Sequence, residues 1–328
     1  METSDRSFQR APLPHMRRVL KYISLTLVLF VVSSCVYSHV STMNDTAPYQ
    51  MIEVEPGRFL HTRCAGPADR PFVLYDAGAF GIYADGWWIQ HELQTDARIC
   101  VYDRAGMGWS DPVPTGQAPS ALWHVEDMRR LATAIGASKP YYLIGHSMAG
   151  IRLHTYANTY PDELAGLIFI DAARPQNFDF DNLPRWVQLM RPLSSLGTFA
   201  ARIGLTRAFA TFSSDPLSLP PQAARDKRRS QSIASHMKAT RAELLAFADS
   251  KDHYAATNAE HLPVSVFAAS ASGGNNRLTA KNAELNSGFG RLNTLPEESH
   301  VSLLAQPTAR LIADDLRAMI AHVEQSPE

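Results

Sequence analysis

The stretch that most constrains the fold runs from Pro140 to Gly150: Pro-Tyr-Tyr-Leu-Ile-Gly-His-Ser-Met-Ala-Gly. Tyr141 to Ile144 is an apolar run of strand type. Gly145 to Gly150 is a tight segment around Ser147, and Ile151 to Tyr160 has helical character, stopped by Pro161. A strand, a sharp small-residue turn and a helix with Ser at the apex is the context that presents a nucleophilic hydroxyl on a strained backbone. Small residues are needed because larger side chains would collide where strand and helix approach. Gly145 fits the G-x-S-x-G spacing. The last position is Ala149, the mildest departure from Gly, with Gly150 behind it. A G-x-S in such a turn also arises by chance, so the rest of the chain must decide its meaning.

Apolar runs recur on both sides of this stretch. Gln50 to Val54 and Arg58 to Arg63 read as two strands joined by a turn at Pro56-Gly57. Pro71 to Tyr75, Arg98 to Tyr102, Leu164 to Ile170 and Leu262 to Ala268 read as further strands. Ser120 can cap a helix whose stripe is Leu122, Val125, Leu131 and Ile135, ended by Gly136; a last helix spans Thr308 to Val323. Strands alternating with helices imply an α/β class, a mostly parallel, doubly wound sheet covered on both faces. Residues 173–261 break the alternation with helical patterning and a proline interruption at Pro216 to Pro221. An insertion of that size sits over the carboxyl ends of the strands, where open α/β sheets place their sites.

The first residues do not belong to this fold. Met16-Arg17-Arg18-Val19-Leu20-Lys21 is basic, Ile23 to Val32 is apolar apart from Ser24 and Thr26, and Val32-Ser33-Ser34-Cys35 follows. That order is a secretory signal, and its end resembles the lipobox of bacterial lipoproteins, in which the cysteine, here Cys35, is diacylated; two chains make a stable anchor. The signal is complete from Met16, which reads as the true start. An uncleaved transmembrane anchor is the rival reading. Against it, only 17 residues separate Lys21 from His39, below the roughly 20 of a spanning helix. The expected division is a signal over 1–35, a tether over 36–48, a first core part over 49–172, a helical cap over 173–261 and a second core part over 262–328.

A net charge of −1 without a basic stripe disfavours nucleic-acid binding. The densest basic run, Arg225-Asp226-Lys227-Arg228-Arg229, reads as a solvated helix face. No motif for a metal or an organic cofactor is found.

From about Tyr49 to the C-terminus the chain resembles the α/β-hydrolases. The resemblance rests on the turn Asp76-Ala77-Gly78-Ala79-Phe80-Gly81, on Tyr102 to Asp111 (Tyr-Asp-Arg-Ala-Gly-Met-Gly-Trp-Ser-Asp), on the Ser147 turn and on a late His. Gly78 to Gly81 lacks the G-x-G-x-x-G spacing of a dinucleotide loop. The resemblance implies the chain order Ser, acid, His, with Ser147 as nucleophile and His300 as base, in Glu297-Glu298-Ser299-His300. His146 is expected to point away by strand alternation, His124 and His154 to be surface or core, and His253 and His261 at most to line the pocket. Most relatives carry Asp after the strand matching Leu262 to Ala268, but Ser270 to Asn276 holds no carboxylate. Asp171, ending the preceding strand, is the natural substitute; haloalkane dehalogenases resemble this segment, and some hold their acid there. Glu284, Glu298 or a dyad without acid are the alternatives.

The resemblance also implies an oxyanion hole from the backbone N–H of Met148 and of Ala79, with Phe80 second for the latter. Asp103 is expected to brace its loop, and Trp87 and Trp88 to pack in the core. The fold's second and fourth strands are neighbours, which pairs Cys64 with Cys100 in an oxidising envelope. A serine nucleophile points to carboxylic-ester hydrolysis and away from dehalogenases and epoxide hydrolases, which use Asp. The expected protein is a monomer in the bacterial cell envelope, bound to the membrane through its anchor and acting on a small-molecule ester. Amide, thioester or C–C cleavage, or a non-catalytic binding protein, are the alternatives. Phe199, Phe209 and Phe212 of the cap hint at an apolar substrate group.

Overall fold

Five apolar runs become the middle of one eight-stranded sheet. The computed structural model describes residues 14–44, 46–175, 185–210, 215–248, 258–270 and 274–325. Its strands are β1 (Gln50–Glu55), β2 (Arg58–Ala65), β3 (Phe72–Asp76), β4 (Arg98–Tyr102), β5 (Tyr141–His146), β6 (Leu164–Ile170), β7 (Val264–Ala268) and β8 (Gly290–Thr294). They lie in the order β1-β2-β4-β3-β5-β6-β7-β8. β2 is antiparallel to β1 and β4, and every other neighbouring pair is parallel. β3, β5, β6 and β7 are buried at every position, as parallel strands covered on both faces must be.

The helices are α1 (Pro14–Asn44), α2 (Trp87–Leu93), α3 (Ala121–Ala134), α4 (Ala149–Thr159), α5 (Arg185–Arg202), α6 (Leu205–Ala210), α7 (Pro221–Ser230), α8 (Ala234–Ala248), α9 (Arg277–Ser287) and α10 (Gln306–Gln325). Period-2 alternation sends Tyr75, Ile144 and Ile168 to one face, with Ile89 of α2 and Ile312, Leu316 and Met319 of α10. Leu74, Leu143 and Leu167 go to the other, with Val125 and Leu131 of α3, Leu153 of α4 and Ala280 of α9. Each such buried side chain stabilises the fold by about 1.5–3 kcal/mol. Ser120 caps α3 as expected, its side chain accepting the N–H of Trp123 at 3.1 Å. Trp87 and Trp88 are half-buried and pack against the core.

Edge strand β8 was not expected. Gly-Arg-Leu-Asn-Thr has no apolar alternation; the strand is fixed by parallel pairing with β7 and by Arg291 and Asn293, which reach Asp315 at 2.7 and 2.6 Å. Helices α5 to α8 fall between β6 and β7, where the cap was expected.

The N-terminal stretch is one helix, and the expected tether is helical as far as Asn44. Met16–Tyr37 has a mean hydropathy of 2.1 and is long and apolar enough to cross a membrane. Tyr22, Leu27 and Phe30 are exposed on it. Cys35 lies within this helix, its thiol 3.5 Å from the carbonyl oxygen of Arg202.

Cys64 and Cys100 face each other across β2 and β4 and form a disulfide. It closes a loop of 36 residues in sequence separation. Replacing both by Ser should lower unfolding stability by about 4 kcal/mol on the loop-entropy account. Denaturant midpoints under non-reducing conditions measure this; equal midpoints for the two proteins would refute it.

Candidate active site

β5 runs straight into Ser147, whose φ of +56° lies in the left-handed region, a conformation that costs a side-chain-bearing residue of order 1–3 kcal/mol. The end of β6 holds it there. The Ser147 N–H donates to the Ile170 carbonyl at 3.1 Å, and the Ser147 carbonyl accepts the N–H of Ala173 at 2.8 Å. A Cβ on Gly150 would stand 2.2 Å from the Ala173 carbonyl oxygen. The close approach behind the Ser147 turn therefore falls on Gly150, and the Ala149 methyl is accommodated in the core.

His300 sits in the loop between β8 and α10, pinned by Ser299 and Ser302, whose backbone N–H groups donate to each other's hydroxyls at 2.7 and 3.1 Å. Its Nδ1 is 2.6 Å from Asp171 Oδ2 and its Nε2 is 2.9 Å from Ser147 Oγ. With Nδ1–H donating to the carboxylate, Nε2 is left to accept the hydroxyl proton of Ser147. The His300 hydrogen bond holds the Asp171 carboxyl below the usual carboxylate range, against the opposing effect of burial. Asp171 has φ +40° and is anchored through its N–H to the Phe267 carbonyl at 2.7 Å. The structure thus brings Ser147, His300 and Asp171 together. Glu284 lies exposed on α9, and no bond joins it or Glu298 to His300 among the described residues.

His146 departs from expectation. It is still within β5, paired with Ile170, and the left-handed turn falls one residue later, on Ser147. His146 lines the same pocket as Ser147, its ring 4.6 Å from that of His300, and its Nε2–H donates to the His300 carbonyl at 2.9 Å. Burial, with the neighbouring His300, pushes its pKa down to about 4, so it stands neutral and braces the His300 loop. His124 and His154 are buried, the latter 2.9 Å from Asn276 Oδ1; His261 is exposed, and His253 lies outside the described residues.

His154 and His236 are pushed down to about 4 by burial, like His146. Their unfolded counterparts take up protons near pH 6.5. The unfolded state binds more protons between about pH 6.5 and 4, so stability falls as pH drops through that window, by up to about 1.4 kcal/mol per pH unit for each group. Denaturant midpoints at pH 7 and pH 5 check this; a midpoint that does not fall at pH 5 contradicts it.

The turn after β3 packs against Ser147. A Cβ on Gly78 would stand 2.8 Å from the Ser147 Cβ, so only glycine fits. Two buried arginines hold this turn by its carbonyls. Arg104 donates to Ala77 and Gly78 at 2.6 and 2.9 Å, and Arg152 to Ala77 at 2.7 Å. Arg104 is itself held by Glu243 of α8, at 2.8 and 3.1 Å. Burial opposes ionisation of Glu243, but Arg104 overrides it and holds the carboxyl well below the usual range. His236 of α8 also lies 3.2 Å from the Phe80 carbonyl. With the carbonyls tied back, the N–H groups of Ala79 and Met148 have no acceptor among the described residues. Asp103 braces its loop as expected, accepting from His61, Tyr83 and Trp109.

A cavity of about 400 Å³ opens onto Ser147 and His300. Its far wall is α7, which corrects the reading of the basic run. Only Arg225 is exposed there. Asp226 is buried and accepts the hydroxyl of Tyr83, Lys227 pairs with Asp85, and Arg229 lies over the Trp109 ring at 4.3 Å. Lys227 and Arg228 line the cavity. Phe199, by contrast, is 61% exposed and absent from the cavity wall. Phe209 and Phe212 lie outside the residues whose side chains are described.

A family model described as alpha/beta hydrolase fold matches residues 75–282, more than half of the chain. The chain belongs to the α/β-hydrolase fold family. An uncharacterised protein of Schizosaccharomyces pombe is 38% identical over 160 residues, covering 40% of this chain and 29% of that protein. An uncharacterised protein of Bacillus subtilis is 26% identical over 172 residues, covering 49% and 51%. The chain thus spans at most about half the length of these relatives. Among solved α/β-hydrolase structures, a thermophilic esterase from Thermogutta terrifontis superposes with TM-score 0.59 at 19% identity, over 83% of this chain and 97% of that one. The Cif epoxide hydrolase from Acinetobacter nosocomialis gives 0.63 at 14% identity, over 88% and 96%. Such identities bear on the fold alone.

Sequence reasoning missed His146, the Arg104–Glu243 clamp and the pocket face of α7. Adjacency to Ser147 was the available signal for His146. Nothing in the sequence pairs Arg104 with a glutamate 139 residues away.

Proposed function

We propose that the protein is a serine hydrolase of carboxylic esters, with Ser147 as nucleophile, His300 as general base and acid, and Asp171 as the orienting carboxylate. The observation that carries this reading is the single imidazole of His300, within 2.6 Å of Asp171 and 2.9 Å of Ser147. A serine hydroxyl is a poor nucleophile at neutral pH and needs such a base, itself oriented by a third group. Ser147 Oγ attacks the acyl carbon while its proton passes to His300 Nε2. The imidazolium, stabilised by Asp171, returns that proton to the leaving alkoxide. Water, deprotonated by His300, then attacks the acyl-enzyme and releases the acid. The oxyanion of each tetrahedral intermediate accepts the N–H groups of Ala79 and Met148, a type of contact worth roughly 3–4 kcal/mol per donor in the transition state.

In this reading the protein is an exported monomer of the bacterial cell envelope, anchored through a lipid on Cys35 after cleavage before that residue. The disulfide and the apolar N-terminal helix support export. Intact-mass measurement of the membrane-extracted protein separates a diacylated N-terminus at Cys35 from an uncleaved helix.

The activity is tested with a fluorophosphonate probe and a panel of 4-nitrophenyl esters, using the full chain in detergent. Prompt labelling of Ser147 together with ester turnover is expected. A folded protein that neither labels nor turns over any ester refutes the reading and favours a binding protein. Labelling without ester turnover points to amide, thioester or C–C substrates.

A further inference from the structure

Resting on that reading, we infer that the ester carries a negative charge, held across the cavity from Ser147 by Arg228 and Gln231. These two residues stand three apart, one on the last turn of α7 and one at its end, and so share a side of the helix. Both line the cavity that contains Ser147 and His300. Neither side chain has a hydrogen-bond or ion-pair partner among the described residues.

Two carboxylates share the cavity wall, and both are already engaged. Asp85 pairs with Lys227 through one oxygen and accepts the Ile82 N–H at 2.9 Å through the other. Asp215 accepts the N–H groups of Leu217 and Leu219 at 3.1 and 2.7 Å. Among the described residues no ion pair joins Arg228 to either carboxylate, and Asp215 has both oxygens turned to backbone N–H groups, so the guanidinium of Arg228 is left to meet a ligand. The last turn of a helix favours basic residues through its dipole, which accounts for three of them in sequence but not for the direction of Arg228. The helix that presents Arg228 is held against the cavity by the two residues before it, Asp226 and Lys227, which tie α7 to Tyr83 and Asp85. A guanidinium fork with an adjacent carboxamide matches a carboxylate: two parallel N–H donors and a third from the amide. The substrate class is a carboxylic ester with a second, ionised acid group, such as a half-ester of a dicarboxylic acid.

The test compares mono-(4-nitrophenyl) adipate with its neutral methyl ester, reading nitrophenolate release by the full chain in a non-ionic detergent. Wild type is expected to favour the anion by at least tenfold in kcat/KM. Arg228→Gln should lower that ratio at least tenfold, with Arg228→Lys in between. A purely structural role would depress both substrates alike and leave the ratio unchanged, and that result overturns the inference. Calorimetric titration of adipate into Ser147→Ala, with and without Arg228→Gln, gives an arm independent of turnover. Weakened adipate binding without Arg228 supports the anion site even if no ester is hydrolysed, in which case only the esterase reading fails. Adipate binding indifferent to Arg228, or absent from Ser147→Ala, removes the anion site whatever the ester kinetics.

Discussion

Replacing Ser147 by Ala is expected to lower kcat for ester hydrolysis by about 10⁴-fold or more, with fluorophosphonate labelling lost and KM little changed. The expectation follows from where the oxygen sits. Ser147 occupies a left-handed backbone position that the end of β6 holds by two main-chain hydrogen bonds. Those bonds involve the backbone only, so alanine keeps them and the fold persists. What disappears is the hydroxyl that lies 2.9 Å from His300 Nε2. His300→Ala should cost a comparable factor, and the double variant little more than either alone, because the two groups act as a unit. Circular dichroism and denaturant midpoints establish that each variant is folded. A Ser147→Ala protein as active as wild type would end the assignment.

The legibility of this site in the sequence followed from which interactions are local. The Ser147 turn spans a few consecutive residues, so strand, turn and helix could be read as one unit. The central strands were equally plain, because burial on both faces writes itself as an unbroken apolar run. β8 is the counter-example: Gly290–Thr294 sits at the sheet edge, largely exposed, and its pairing with β7 leaves no pattern in its own residues. The cap shows the same limit more strongly. Helical periodicity revealed its helices but not which side of each faces inward. The run at 225–229 looked uniformly solvated, yet it alternates between a buried Asp226, a paired Lys227, a cavity-lining Arg228 and a Trp-stacked Arg229. Those fates are set by Tyr83, Asp85 and Trp109, more than a hundred residues earlier. Likewise Glu243 is buried on α8 against Arg104 and His124, partners far away in sequence.

The clamp through Glu243 also bears on what the cap does. α8 reaches the turn that carries Ala79 by two routes, Glu243 through Arg104 and His236 at the Phe80 carbonyl. A donor aimed at a developing oxyanion is effective only if it is held before the charge appears. In this chain the holding groups come partly from the cap, so α8 is part of the support of the site as well as part of its cover.

Asp171→Asn is expected to lower kcat by about 10³–10⁴-fold, because a neutral amide no longer fixes the base in the tautomer that accepts the Ser147 proton or stabilises the imidazolium. The substitution is nearly isosteric, and the backbone N–H that anchors residue 171 to Phe267 is untouched, so the loss is one of charge. Among the described residues no other carboxylate bonds to His300, and Ser270 to Asn276, the loop after β7, contains none in its sequence. Glu284→Gln and Glu298→Gln are the matched controls, expected to stay within about twofold of wild type. The acid limb of the pH profile discriminates further. His300 holds the Asp171 carboxyl below the usual carboxylate range, so Asp171 stays ionised as pH falls from neutral. Wild type should therefore lose no activity to protonation of Asp171 until the pH falls below the usual carboxylate range. If Asp171→Asn keeps full activity while Glu298→Gln loses it, the acid lies in the loop before α10; if neither variant loses activity, Ser147 and His300 act as a dyad.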